Sequence, residues 1–189
     1  QMLYTAYQHP GPAAVRYPRG TGTGVNVNEE MESLEIGKSV QVLAGDRVAI
    51  VNFGTLLPGA LEAAKNLGAT LVDMRWVKPM DEAALLALSK RHDLLVTVEE
   101  NAVAGGAGAA VSEFLSKQEE STAVLHCGIP DEYVEHADHS VQLSELGLDG
   151  AGIARAIRDR MNRIDSIDGN PSTQEPSPVI PANAGRQAS

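Results

Sequence analysis

Arg16-Tyr17-Pro18-Arg19-Gly20 is the segment of this sequence best suited to holding an anion. Residues 13–17 read as strand-like and stop at Pro18, and Gly20 frees the backbone to turn. A guanidinium at a strand end beside a glycine suits bidentate capture of phosphate or carboxylate, although such arginines serve equally often as structural ion-pair partners. Arg16 and Arg19 are three apart, an odd separation, so on a continuing strand they face opposite sides and only one of them enters a site.

Three further groups have residue types that could do chemistry. Gly105-Gly106-Ala107-Gly108 follows a strand pattern and opens a helical one, the placement of a dinucleotide-binding loop. Val111 stands where the third glycine of that fingerprint belongs, and the small residues serve a tight turn and close helix–sheet packing more simply. Glu99, Glu100 and Asn101 fall where a strand ends, the ligand-binding edge of a parallel sheet. Adjacent carboxylates on an extended chain point apart and are not by position an acid–base pair, so capping the next turn or pairing with a neighbouring subunit is the simpler use. His136 and His139, with Cys127 and Asp138, form a loose set of metal-ligand types without a Glu-x-x-His pattern. Surface histidines and a small buried thiol are the plain alternative.

The elements that must position these groups follow from periodicity. Residues 39–43 and 47–53 are β-rich runs joined by Ala44-Gly45-Asp46, a connection short enough to predict an antiparallel hairpin. Leu57, Leu61, Ala64 and Leu67 give a helix over 57–67 one apolar face, with Thr55 as its cap, Pro58 in its first turn and Gly68 as its stop. Strands are predicted at 70–74, 94–98 and 123–126. Helices are predicted at 82–90, capped by Asp81 with Met80 stapled onto Leu85, and at 106–117. A last helix is capped by Asp149 and carries the stripe Ile153, Ile157, Met161, Ile164. Strands separated by helices imply right-handed crossovers, hence an α/β fold: a three-layer α/β/α domain at 37–164 around a mostly parallel five-stranded sheet with one antiparallel edge strand.

The chain has 189 residues, 15 Lys+Arg and 25 Asp+Glu, a formal net charge of −10 that argues against a nucleic-acid or anionic-membrane surface. That charge divides as −2 over 1–36, −6 over 37–164 and −2 over 165–189, so no segment is a basic arm. One cysteine excludes an intrachain disulfide and a multi-cysteine zinc site. No apolar run approaches the ~18 residues of a membrane span. Residues 20–36 read as a linker, and residues 165–189, with four of the ten prolines, as a disordered tail. Position 1 is Gln and no leader pattern follows, which predicts a chain that begins after processing or within something longer.

These pieces, in this order, resemble the C-terminal part of the 1-deoxy-D-xylulose-5-phosphate synthase family. The matching segments are AAVRYPRG (13–20), IGK (36–38), VNFGTLLP (51–58), ATLVDMRWVKPMDE (69–82), LVTVEENAVAGGAG (95–108), GIPD (128–131) and LGLDGAGI (146–153). The resemblance covers nearly everything before residue 164, and DMRWVKPMDE with VTVEEN is close to a signature. It implies a transketolase-class, thiamine-diphosphate- and Mg2+-dependent transferase of the cytoplasm, a homodimer that joins pyruvate to glyceraldehyde 3-phosphate with release of carbon dioxide. The product feeds isoprenoid, thiamine and pyridoxal synthesis. On this resemblance residues 1–20 end the preceding pyrimidine-binding-type domain, 21–36 are linker and 37–164 are the transketolase C-terminal-like domain. Arg19 takes the family position that binds the acceptor phosphate, with Arg16 and Tyr17 as supports. The Gly-Asp-Gly magnesium motif, the diphosphate loop and the catalytic glutamate and histidines have no counterpart here, so cofactor and metal are expected in upstream domains and this chain alone is expected to be inactive. The competing readings are a non-catalytic dimerisation or assembly module, and the C-terminal domain of another transketolase-class enzyme.

Overall fold

The computed structural model describes residues 1–17, 29–119 and 121–168. In chain order the elements are α1 (Met2–Gln8), β1 (Val40–Leu43), β2 (Val48–Phe53), α2 (Leu57–Leu67), β3 (Thr70–Asp73), α3 (Glu82–Ser89), β4 (Leu94–Ala102), α4 (Ala107–Lys117), β5 (Ala123–Ile129), α5 (His139–Glu145) and α6 (Gly150–Asp168). The five strands form one sheet in the order β1-β3-β2-β4-β5, with every pair parallel except β1 with β3. This is the α/β architecture expected, antiparallel edge strand included.

Alternation along the strands sorts the core into two apolar layers. Val48, Ile50, Leu71, Leu94, Val96 and Val98 pack with α2 and α6 on one face of the sheet. Ala49, Val51, Val72 and Leu95 pack with Leu85 and Leu88 of α3 and with Val111 and Leu115 of α4 on the other. β2 and β4 lie between parallel neighbours and are buried almost throughout, which is why they read as continuous apolar runs. The stripe Ile153, Ile157, Met161, Ile164 seats α6 on the first layer as predicted. In α2 the fully buried line is Ala60, Ala63 and Ala64, with Leu57, Leu61 and Leu67 flanking it.

The predicted hairpin does not form. β1 passes beyond β2 and pairs with β3, Val40 opposite Asp73 and Gln41 opposite Val72. Both edges of β2 are taken by parallel partners, so β1 must go to the outside. The short connection makes this crossing by running against the start of β3. Asp46 N–H donates to Gly68 O (3.0 Å), Gly45 N–H to Thr70 Oγ1 (3.0 Å), and a Cβ on Gly45 would collide with the backbone of Gly68 and Ala69. Only glycine permits that approach.

Several boundaries move. β4 runs on to Ala102 and β5 to Ile129, each beyond its predicted end, and α6 continues to Asp168. Residues 13–17 form no strand, since Pro12 and Pro18 bracket them and no sheet edge accepts them. α1 and α5 have no predicted counterpart, being seven residues each and without an apolar period. Asp81 caps α3 through Ala84 N–H (3.2 Å) and Asp149 accepts from Gly152 N–H (2.7 Å), as expected. Thr55 does not cap α2 but turns its hydroxyl elsewhere.

Candidate functional site

Of the polar groups that the sequence singles out, Glu99, Glu100, the 105–108 turn and His139 gather at the carboxyl end of β4. Glu99 and Glu100 are adjacent on β4, so pleating sends them to opposite faces, and each is absorbed there. The Glu99 carboxylate is 3% exposed and lies under α4, where Oε2 accepts from Ala107 N–H and Oε1 from Gly108 N–H, both at 2.8 Å. It supplies the negative charge that a helix N-terminus favours and satisfies two of its orphan donors. A Cβ on Gly106 would strike both Glu99 oxygens, and one on Gly108 would strike Thr97 Oγ1 and His126 Nδ1. The glycines of this loop therefore admit the protein's own carboxylate. No phosphate seat is left at α4, and the dinucleotide reading falls.

On the same face, two residues earlier on β4, Thr97 Oγ1 lies 2.7 Å from His126 Nδ1 of β5, and Ser112 Oγ of α4 lies 3.0 Å from Nε2. Burial holds the His126 imidazole below its ordinary pKa, and the charge of Glu99 offsets part of that. The row Ser112–His126–Thr97 has the outline of a nucleophile and base. Its Nδ1 faces a hydroxyl rather than a carboxylate, and Glu99 has already taken the nearby amides that could hold an oxyanion. The arrangement is a closed packing network. Its sequence signal is the pair of polar residues, Thr97 and Glu99, on one face of an otherwise apolar strand.

Glu100 faces the other layer. Its carboxylate accepts from Thr55 Oγ1 (2.5 Å) and meets His139 Nε2 (2.6 Å). Thr55 follows β2 and Glu100 lies near the end of β4, the two strands between which chain order reverses, so this contact closes the crevice where ligands bind in open α/β sheets. His136 lies outside α5 and shares no helix face with His139. Cys127 is buried in the first apolar layer, which pushes its thiol pKa up to about 11. Among the described residues no group of three or more His, Cys, Asp and Glu could hold a metal ion. With the α4 amides filled as well, the described residues do not fit thiamine diphosphate or Mg2+.

A further junction lies at the entry to the sheet. Asp81 Oδ2 accepts from both the backbone N–H and the hydroxyl of Ser39, each at 2.9 Å, while Oδ1 caps α3. One buried carboxylate thus ties the segment before β1 to the start of α3. Burial alone would raise its pKa, but the hydrogen bonds from Ser39 and Ala84 outweigh it and hold it below the usual carboxylate value. Arg16 is exposed on irregular backbone, and Arg19 lies outside the described residues.

Residues 37–153 match the family of transketolase C-terminal domains, and the chain belongs to that family. Its sequence is 55% identical over 164 residues to the 1-deoxy-D-xylulose-5-phosphate synthase of Vibrio cholerae serotype O1, covering 84% of this chain and 26% of that protein. The synthase of Alcanivorax borkumensis is 52% identical over 163 residues, covering 86% of this chain and 25% of that protein. A solved split-gene transketolase, an inactive β4 tetramer, superposes with a TM-score of 0.64 at 32% identity, covering 69% of this chain and 44% of that one. The resemblance drawn from the sequence motifs is thereby borne out. The chain spans about a quarter of the length of the curated synthases it matches. No helix among the described residues is long and apolar enough to cross a membrane.

Proposed function

We propose that this chain is the C-terminal part of a 1-deoxy-D-xylulose-5-phosphate synthase that condenses pyruvate with glyceraldehyde 3-phosphate in the cytoplasm and works as a homodimer. The observation that carries the reading is the identity of 55% over 84% of the chain to such a synthase. Thiamine diphosphate and Mg2+ belong, on this reading, to upstream domains, because the helix terminus that could have taken a diphosphate here is filled by Glu99. The chain contributes Arg19, whose planar guanidinium would hold the dianionic phosphate of the acceptor by paired hydrogen bonds. That contact is remote from the reacting carbon and acts through binding and orientation.

The test is a mixing assay. The 189-residue chain alone is expected to turn over neither substrate, and mixing it with the portion of the Vibrio cholerae synthase that precedes the matched region is expected to restore product formation. Arg19→Ala in that mixture should raise KM for glyceraldehyde 3-phosphate about 10- to 100-fold, the worth of a charge-assisted contact, with KM for pyruvate unmoved. Turnover by the chain alone, or unchanged kinetics for the phosphorylated acceptor, overturns the assignment. A second reading, a non-catalytic assembly module, is favoured by the likeness to a transketolase chain that forms an inactive tetramer by itself. It predicts self-association of the chain and no restored activity on mixing.

A further inference from the structure

Between α6 and the outer edge of β5 lies a cleft of about 430 Å3, walled by residues 124–126 of the strand and by Ala156, Asp159, Arg160 and Arg163 of the helix. Small-molecule sites run to about 300–1,000 Å3, so the cleft has the room of one. The four helical residues have spacings of three, one and three and form one stripe, beside the apolar stripe that seats the helix. Asp159, Arg160 and Arg163 make no ion pair among the described residues. Arg160 is partly buried, and its Nε atom is closed off from solvent without a hydrogen-bond partner. A cation desolvated on one side and given no counter-charge is costly, and an oxyanion in the cleft removes that cost. The strand side of the cleft offers backbone rather than side chains. The His126 imidazole is engaged on the opposite face by Thr97 and Ser112. Among the described residues β5 pairs only with β4, and a parallel strand turns successive residues' N–H and C=O groups to alternate sides. At least one of residues 124–126 therefore presents its N–H outward, into the cleft.

We propose that the β5–α6 cleft binds a small phosphomonoester that also carries hydroxyl groups. Arg160 and Arg163 lie about one turn apart and take the phosphate, each planar fork offering paired donors to a dianion. The outward N–H of β5 adds a neutral donor, and the small Ala156 keeps the helix side of the cleft open. Asp159 is acceptor-only when ionised, so it has no part in holding the anion and accepts from a ligand hydroxyl instead. The same carboxylate selects among phosphates. Inorganic phosphate fills the arginine end alone, whereas a polyol phosphate reaches both ends. With one acid against two arginines the stripe is locally cationic, although the chain as a whole carries −10. The proposal stands apart from the synthase reading and uses no residue assigned there.

The experiment is isothermal titration of the full chain with glycerol 3-phosphate and, separately, with inorganic phosphate. It is run at an ionic strength of about 0.15 M, where interactions of exposed charges beyond about 8 Å are largely screened. Arg19→Ala is the background throughout, so that the position proposed for the acceptor phosphate adds no signal. Glycerol 3-phosphate should bind at one site per chain, and inorganic phosphate about tenfold more weakly. Arg160→Gln and Arg163→Gln should each weaken both ligands about tenfold or more. Asp159→Asn should narrow the gap between them. Arg158→Gln, on an exposed arginine of α6 outside the cleft, should change neither. Where Arg160→Gln disturbs the circular dichroism, Arg160→Lys keeps the charge and stem, loses the fork, and should weaken binding in the same direction. The proposal is overturned by the lack of saturable binding, by equal affinity for the two ligands, or by a loss with Arg158→Gln as large as that with Arg160→Gln. None of these outcomes bears on restored turnover, so the synthase reading fails or stands in its own assay.

Discussion

Glu99 does for α4 what a bound phosphate does at the start of other helices after a glycine turn. Glu99→Ala removes the acceptor of two buried N–H groups and leaves a cavity beneath the helix. It should cost about 3 kcal/mol or more in urea unfolding, since each orphaned buried donor costs about 1–3 kcal/mol. His126, on the same face, gives the pH dependence. Its folded-state pKa is depressed below the ordinary 6.5 by burial, so the folded chain binds fewer protons there than the unfolded one. The stability it contributes is complete above the unfolded value and is lost as pH falls below about 6.5 toward the folded value. His126→Gln should flatten that part of the stability–pH curve while leaving the acid limb from the carboxylates in place. A curve with the same slope in both proteins would show that His126 does not titrate between the two states.

Helices α2, α3, α4 and α6 and the parallel strands were legible because their causes are local. Apolar period places α2 and α6, and unbroken apolar runs mark strands covered on both faces. What was illegible depended on a third party. The Ala44-Gly45-Asp46 turn has hairpin length, yet β2 has no free edge once β3 and β4 flank it. Thr55 has the residue type of a helix cap, yet the Glu100 carboxylate, 45 residues on, claims its hydroxyl. At the site, the Thr97–His126–Ser112 row could be signalled only by polar residues on an apolar strand, since its members come from three elements. The crossing at Gly45 is tested at its tightest point. Gly45→Ala forces a methyl into the Gly68 carbonyl and the Ala69 backbone, and it should destabilise the domain by about 3 kcal/mol, as overpacking against rigid backbone does. Gly54→Ala is the control, because its built Cβ meets nothing and only its positive φ opposes the change, at about 1 kcal/mol.

For the whole molecule, the family match ends at residue 153 whereas the core does not. Ile157 is buried, and Met161 and Ile164 pack against the same cluster. Ile157, fully buried, is worth about 1.5–3 kcal/mol and the partly buried Met161 and Ile164 less each, so together they are a large share of the roughly 5–15 kcal/mol that holds a typical domain folded. A chain ending at 153 should therefore lose its cooperative thermal transition by circular dichroism, while one ending at 168 should keep it. The place of β1 has a mechanical side. Residues 29–38 enter the sheet through β1, which is held by one antiparallel neighbour and by the Ser39–Asp81 contacts. Tension arriving along residues 29–38 loads that single outer strand, and β1 can peel from β3 while the four parallel strands stay paired. β1 is thus a fuse, a short sacrificial strand that yields before the core and can zip back when the load is gone.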